Sequence, residues 1–514
     1  VELSQIDCVS DLIINRSNIN SDGTAFLGED KEPLTFGQLH AQMDYVLQRL
    51  NRMGIGRNDR VAIVLPNGPE LAVAFLSIAT CATSAPLNPG YSEAEFEFYL
   101  SDLKAKALVL LRGQDSPSRK VASNFEIPVI ELIPRLDGRA ISFDLIGEEG
   151  SPPSQSGYSK GNDVALILHT SGTTSRPKMV PLTHQNICAS ARHINNSLKL
   201  SSNDRCLNVM PLFHIHGLMA VVLSSVMAGA SVACTSGFDP IKFYAWLQLF
   251  RPSWYSAVPT MHQAVLSLAK ENLEEIEAYP LRLIRSSSAS LPSQVMAELE
   301  TVFKVPVIEA YGMTEAAHQM ASNPLPPLTR KPGSVGLPAG PEIAIMNDLG
   351  DLLSGGEKGE IVIRGPNVMQ GYAENPEANK TAFKAGWFRT GDEGYFDTDG
   401  YLYISGRIKE MINRGGEKIA PREVDEVFLE HPSVAQAVTF AVPHPTLGED
   451  VATAVVLKPG ESLTVKELRQ FGLAHLVPQK APSRVLILDN IPKGPTGKLQ
   501  RIGLFDKLSN HLET

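Results

Sequence analysis

The twelve residues His169 to Val180, His-Thr-Ser-Gly-Thr-Thr-Ser-Arg-Pro-Lys-Met-Val, bring one glycine, a run of hydroxyl side chains and two cations into a single short stretch. A loop of that make-up offers close backbone approach, N–H and O–H donors and positive charge, which are the parts a polyphosphate needs. It is not a Walker P-loop. Counting from Gly172, the places for Gly, Lys and Ser/Thr hold Pro177, Lys178 and Met179, so two of the three fail. The apolar run Val164 to Leu168 before it predicts a buried strand, and beyond Pro181 the sequence takes on helical character.

Further stretches carry side chains with chemistry. Met210 to Gly217 sets His214 and His216 two apart beside an aromatic, and the lack of a carboxylate or cysteine at ligand spacing disfavours a metal pair. Ile284 to Pro292, after a strand expected from about Leu281, is a run of small residues that suits either a backbone-lined ligand site or a tight turn. Val307 to Glu315 puts an aromatic, a hydroxyl and a carboxylate (Tyr311, Thr314 and Glu315) on one strand-end turn, able to stack on a base, bond a phosphate and hold a divalent cation. Asp392 and Arg407, if buried, each need a partner and could serve one another. The adjacent Gly415 and Gly416 suit a backbone that approaches a ligand closely, ahead of an amphipathic helix expected over Arg422 to His431. Lys498 sits in a Pro/Gly loop near the end, where a lone lysine is ordinarily a solvated charge.

Taken in order, these motifs resemble those of the adenylate-forming superfamily, which includes acyl-CoA synthetases, peptide-synthetase adenylation domains and beetle luciferases. The phosphate loop departs from the family pattern at Ser175 and Met179, where glycine is usual. The resemblance implies an α/β fold. A large N-terminal domain, residues 1–406, with parallel-rich sheets and helices, would bind ATP and the acid; a small mobile C-terminal α+β domain, residues 407–514, would carry the catalytic Lys498. It implies that Thr170, Ser171, Gly172, Thr173, Thr174 and Lys178 meet the phosphates, and that Ser288, Ala289, Ser290, Glu309, Ala310, Tyr311 and Gly312 surround the adenine. Asp392 and Arg407 would hold the ribose hydroxyls, Thr314 a phosphate, and Glu315 the Mg2+. His214 would gate the carboxylate site, Lys409 would be the hinge, and Gly415, Gly416 and Lys418 would form the thiol-site loop. The implied reaction joins a carboxylate to AMP with loss of pyrophosphate, then passes the acyl group to a thiol: coenzyme A, or the phosphopantetheine of a carrier protein.

Within the superfamily the resemblance is to the 4-coumarate–CoA ligase-like branch and, inside it, to oxalyl-CoA synthetases, carried by Trp254 to Gln263, Arg285 to Ser290 and Glu315 to Pro324. The implied acid pocket comprises His214, His216, Ser288, Ala310, Gly312 and His318. Aryl-acid relatives are usually aromatic, small or apolar at the places of His216 and Ser288, so polar residues there imply a small polar acid, oxalate first. The competing reading turns those side chains towards backbone and leaves a fatty or aryl acid as substrate.

These residues have to be positioned by a large scaffold. At 514 residues the chain exceeds a single core and predicts at least two domains. Strand-like runs at Arg60 to Leu65 and Ala107 to Leu111, alternating with helical stretches such as Ser92 to Leu100, predict βαβ units and a parallel sheet. Residues 147–162, rich in Pro, Gly and Ser, read as a surface loop. A content of 43% apolar and 20% charged residues is that of a globular protein, and a net charge of −10 argues against nucleic acid as a partner. Five scattered cysteines without metal or disulfide spacing predict reduced thiols. No apolar run approaches a membrane span and the start lacks a signal-peptide layout, so a cytoplasmic location is expected, although a chain beginning at Val1 could be a piece of something longer.

Overall fold

The computed structural model describes residues 6–170, 177–492 and 501–512. Among them the strands form four sheets. The first has seven strands in the order Phe143–Ile146, Val129–Pro134, Ala107–Leu111, Arg60–Val64, Thr83–Pro86, Val164–Thr170 and Lys178–Thr183. Its interior is parallel and its two edges antiparallel. The second has nine strands, with Val307–Met313, Leu283–Ser287, Trp254–Ala257, Arg205–Asn208 and Ser231–Cys234 forming its parallel middle.

Two helices lie between these sheets and explain why their sequences are apolar on more than one face. Pro69–Ala79 is buried at every residue but Glu70 and packs against strands of both sheets. His184–Leu198 also packs against strands of both sheets, its start fixed by a capping box in which Thr183 and Asn186 satisfy each other's backbone N–H groups. A third sheet is antiparallel and ends in Trp387–Phe396 paired with Leu402–Arg407. The fourth belongs to a smaller unit with its own core around Ile412, Val424, Phe428, Val451 and Leu468. That unit meets the large one where the Gln263 amide donates to the Ala435 carbonyl at 3.1 Å.

The expected βαβ pattern is present, and three local expectations change. Beyond the phosphate loop the chain first forms the strand Lys178–Thr183 and turns helical only at His184, because Met179, Val180 and Leu182 complete the buried face of the first sheet. The strand expected from Leu281 starts at Leu283, and the helix expected to reach His431 ends at Leu429. All five cysteines are free and buried, and burial pushes the Cys8 and Cys81 thiols up to about 12. Among the described residues no helix is long and apolar enough to cross a membrane.

Candidate active site

Most of the candidate residues lie at or just beyond the carboxyl ends of parallel strands, the usual position for ligands in open α/β sheets. Thr170 closes the strand before the expected phosphate-binding stretch and lies directly across from Lys178, at the start of the antiparallel strand that follows it. Ser171, Gly172, Thr173 and Thr174 lie outside the described residues, as does Lys498. On the same strand as Thr170, His169 donates to or accepts from Asp102 at 3.1 Å and stacks edge-on with Tyr99.

The strand Val307–Met313 ends in a tight turn that buries Glu315. Tyr372 donates its hydroxyl to Glu315 Oε1 at 2.9 Å, and the Lys178 ammonium lies 4.6 Å from the centre of the same tyrosine ring. Burial pushes the Glu315 carboxyl up; Lys178 is pushed down by burial and by the neighbouring Lys409 charge. Thr314 opens this turn and is half-buried. Gly312 cannot be replaced, since a Cβ there would stand 1.8 Å from the His318 carbonyl oxygen.

On the next edge, Asp392 and Arg407 face one another across paired strands, with Arg407 Nε 2.8 Å from Asp392 Oδ1. Tyr311 donates its hydroxyl to the other Asp392 oxygen, and the Asp392 charge raises Arg407 further above its usual range. These three residues are therefore assembled as one cluster. Glu309 is buried beside them; its Oε1 accepts from the Leu291 N–H at 3.0 Å, bracing the loop that holds Ser288, Ala289 and Ser290. Burial raises its carboxyl to about 7, against the opposing pull of Arg422 in the small unit. The Ala310 carbonyl accepts from the Ser287 hydroxyl at 2.9 Å.

Of the residues expected to line the acid pocket, His216, Ser288 and His318 are brought together. His216 is buried, with Nδ1 3.0 Å from Ser288 Oγ and Nε2 2.7 Å from Ser256 Oγ, and its ring centre is 5.1 Å from that of His318. His214 is half-buried and tilted against Phe213, with ring centres 4.6 Å apart. At the centre stands a residue to which the motifs assigned no role. Arg285 is completely buried, donates to Ser256 Oγ at 3.3 Å and Gln319 Oε1 at 3.3 Å, and reaches His318 Nε2 at 3.5 Å. All of these partners are neutral acceptors, and among the described residues no carboxylate pairs with it. Burial lowers its guanidinium to about 10. The available signal was a charged residue in the middle of an otherwise apolar or small strand, Leu283–Ser287. Tyr372, Ser256 and Gln319 also went unread, because a lone tyrosine, serine or glutamine carries no spacing signal.

The adjacent glycines have a local explanation. Gly415 and Gly416, with φ of +63° and +96°, form the two-residue turn of a hairpin between Ile412–Arg414 and Glu417–Ile419, a turn that needs positive φ at both places. Lys418 is exposed on that hairpin, and Lys409 is exposed on the single turn Ile408–Glu410 that follows Arg407.

A cluster of buried charges beside a buried polar group, in a large α/β unit followed by a small one, is the arrangement expected of an adenylate-forming ligase. Residues 15–373 match the AMP-binding enzyme family and residues 423–498 match the AMP-binding enzyme C-terminal domain. The chain is 44% identical to the oxalate–CoA ligase of Arabidopsis thaliana, over 96% of this chain and 97% of that protein. It is 45% identical to the oxalate–CoA ligase of Saccharomyces cerevisiae, over 87% and 86%. The ATP-bound structure of MatB from Rhodopseudomonas palustris superposes with a TM-score of 0.86 at 26% identity, covering 98% of this chain and 99% of that one. The chain belongs to the AMP-binding enzyme family, and it is an ATP-dependent acid–thiol ligase.

Proposed function

We propose that this enzyme activates oxalate, or a dicarboxylate of nearly its size, and transfers the acyl group to coenzyme A. The observation that carries this reading is Arg285: a fully buried cation whose partners are all neutral. An unpaired buried charge is costly, and the natural remedy is an anion supplied by the ligand. The surrounding His216, Ser288, His318, Ser256 and Gln319 add polar groups and little apolar surface, and a hydrocarbon chain would leave the Arg285 charge without a counter-ion. The names of the two relatives described above support the same acid, and with it coenzyme A in preference to a carrier protein.

In the first half-reaction a carboxylate oxygen attacks the α-phosphorus of ATP and the bond to pyrophosphate breaks. In the second the thiol sulfur attacks the acyl carbon and AMP leaves. The chain's part is positioning and charge stabilisation. We assign phosphate binding to the Thr170–Lys178 hairpin and Thr314, adenine stacking to Tyr311, and the ribose hydroxyls to Asp392 and Arg407. His214 borders the reacting carboxylate, and Lys498, delivered by a small unit pivoting at Lys409, neutralises charge at the α-phosphate. The hairpin Ile412–Ile419, with Gly415, Gly416 and Lys418, would face the incoming thiol after the pivot.

Mg2+ suits the residues present. Among the described residues there is no group of three or more His, Cys, Asp or Glu able to hold a metal on its own. Glu315 is a single buried carboxylate, which matches an ion held by one protein ligand together with substrate phosphates. When bound, Mg2+ would offset negative charge on those phosphates. Tyr372 holds the Glu315 carboxylate in place, and Lys178 adds a second positive group alongside.

The test is ATP–pyrophosphate exchange with the purified protein across oxalate, malonate, hexanoate and 4-coumarate. Oxalate should exceed the two monocarboxylates by about 10⁴ in kcat/KM. Faster exchange with hexanoate or coumarate than with oxalate would end the proposal.

A further inference from the structure

Ser256 is fully buried in the strand Trp254–Ala257, and its hydroxyl has two hydrogen-bond partners, Arg285 Nη1 at 3.3 Å and His216 Nε2 at 2.7 Å. A guanidinium can only donate. The Ser256 oxygen therefore accepts from Arg285, and its own hydrogen has one acceptor within reach, His216 Nε2. The opposite assignment would bury a hydroxyl hydrogen with nowhere to go. With Nε2 accepting, a neutral His216 carries its proton on Nδ1 and donates it to Ser288 Oγ at 3.0 Å. Ser288 then has its hydrogen left to give, and among the described residues no hydrogen bond takes it. Its backbone stands at φ +74°, uncommon for a residue with a Cβ.

Resting on the oxalate reading above, we infer that Arg285, Ser256, His216 and Ser288 form a directional hydrogen-bond chain that presents Ser288 to the acid as an O–H donor. Ser256 is the positioning residue that sets the direction. The direction decides what the pocket accepts. Run this way, each link is polarised by the buried cation at its head, and the chain ends on a donor that favours the lone pairs of a carboxylate. Run the other way, Ser288 would present lone pairs and repel that carboxylate. Ser256 touches no substrate in this scheme and acts only through His216, so its effect falls on the choice of acid.

The experiment compares wild type, Ser256→Ala and Ser256→Thr by pyrophosphate exchange with oxalate and with acetate, which lacks the second carboxylate. Ser256→Ala should lose ~10- to 100-fold in kcat/KM for oxalate. Its acetate rate and its KM for ATP should move less than ~3-fold, and Ser256→Thr, which keeps the hydroxyl, should recover most of the loss. Histidine ¹⁵N shifts of wild type should show His216 protonated at Nδ1 and bare at Nε2. Equal losses with both acids, no recovery in Ser256→Thr, or a wild-type proton on Nε2 would overturn the chain. A wild-type preference for hexanoate or coumarate would instead overturn the substrate reading, and the ¹⁵N result would still decide the direction of the hydrogen bonds.

Discussion

On the nucleotide side, Asp392 lies between Tyr311 and Arg407, and Glu315 is held by Tyr372 with Lys178 close by, so each buried charge has a partner within the protein. On the proposed acid side, Arg285 has, among the described residues, only serine, glutamine and histidine to donate to. The first arrangement is internally paired. The second lacks a negative charge among the described residues, the place that the proposal gives to the substrate. Glu309, between the two, follows a third course: burial raises its carboxyl to about 7, so it sheds its charge where Arg285 retains its own.

The largest effect is expected from Arg285→Met. Removing the cation should cost about 10²- to 10³-fold in kcat/KM for oxalate, the usual penalty for truncating one side of a buried charge pair, with KM for ATP unchanged. Because the free enzyme holds that cation without a counter-charge, Tm should be unchanged or higher. A fall in Tm together with a uniform loss across acids would show that Arg285 is part of the scaffold, and the contrast between the two sides would collapse. Asp392→Asn probes the internally paired side. It should raise KM for ATP by about tenfold by unsettling Tyr311 and Arg407 together, while the ratio of oxalate to acetate rates stays at the wild-type value. A change in that ratio would mean the two sides are not separable.

Glu309→Gln should have the smallest effect on rate, under about threefold, because the amide oxygen can still accept from Leu291. Its signature is in stability. A carboxyl raised from 4.5 to about 7 on folding keeps its proton longer in the native state. Wild-type stability from this group is therefore full below about pH 4.5 and is lost as pH rises to about 7, by on the order of 3 kcal/mol. Thermal unfolding should show Glu309→Gln more stable than wild type at pH 8 and level with it near pH 5. Parallel curves across that range would place a charged Glu309 against Arg422 and remove the third case from the comparison.

Elements with a strong local signal were readable from the chain: Ala107–Leu111, and the helix expected over Ser92 to Leu100, which runs Glu93–Leu103, need only their own residues to declare themselves. The strand Lys178–Thr183 did not, because its sole reason to be extended is the antiparallel partner Val164–Thr170. Gly415 and Gly416 were noticed for their freedom to approach a ligand, and the hairpin that uses this freedom appears only once Asn413 pairs with Lys418.

Motif order along the chain was enough to identify an ATP-using ligase and to single out His216, Ser288 and His318 as acid-pocket candidates, since each motif is contiguous and its chemistry is local. Tertiary structure alone decided that Arg285 is the group they surround. Arg285, Ser256 and Gln319 come from three strands and His216 from the first turn of a helix, and a buried charge shows itself as lacking a counter-charge only when the groups packed around it are known.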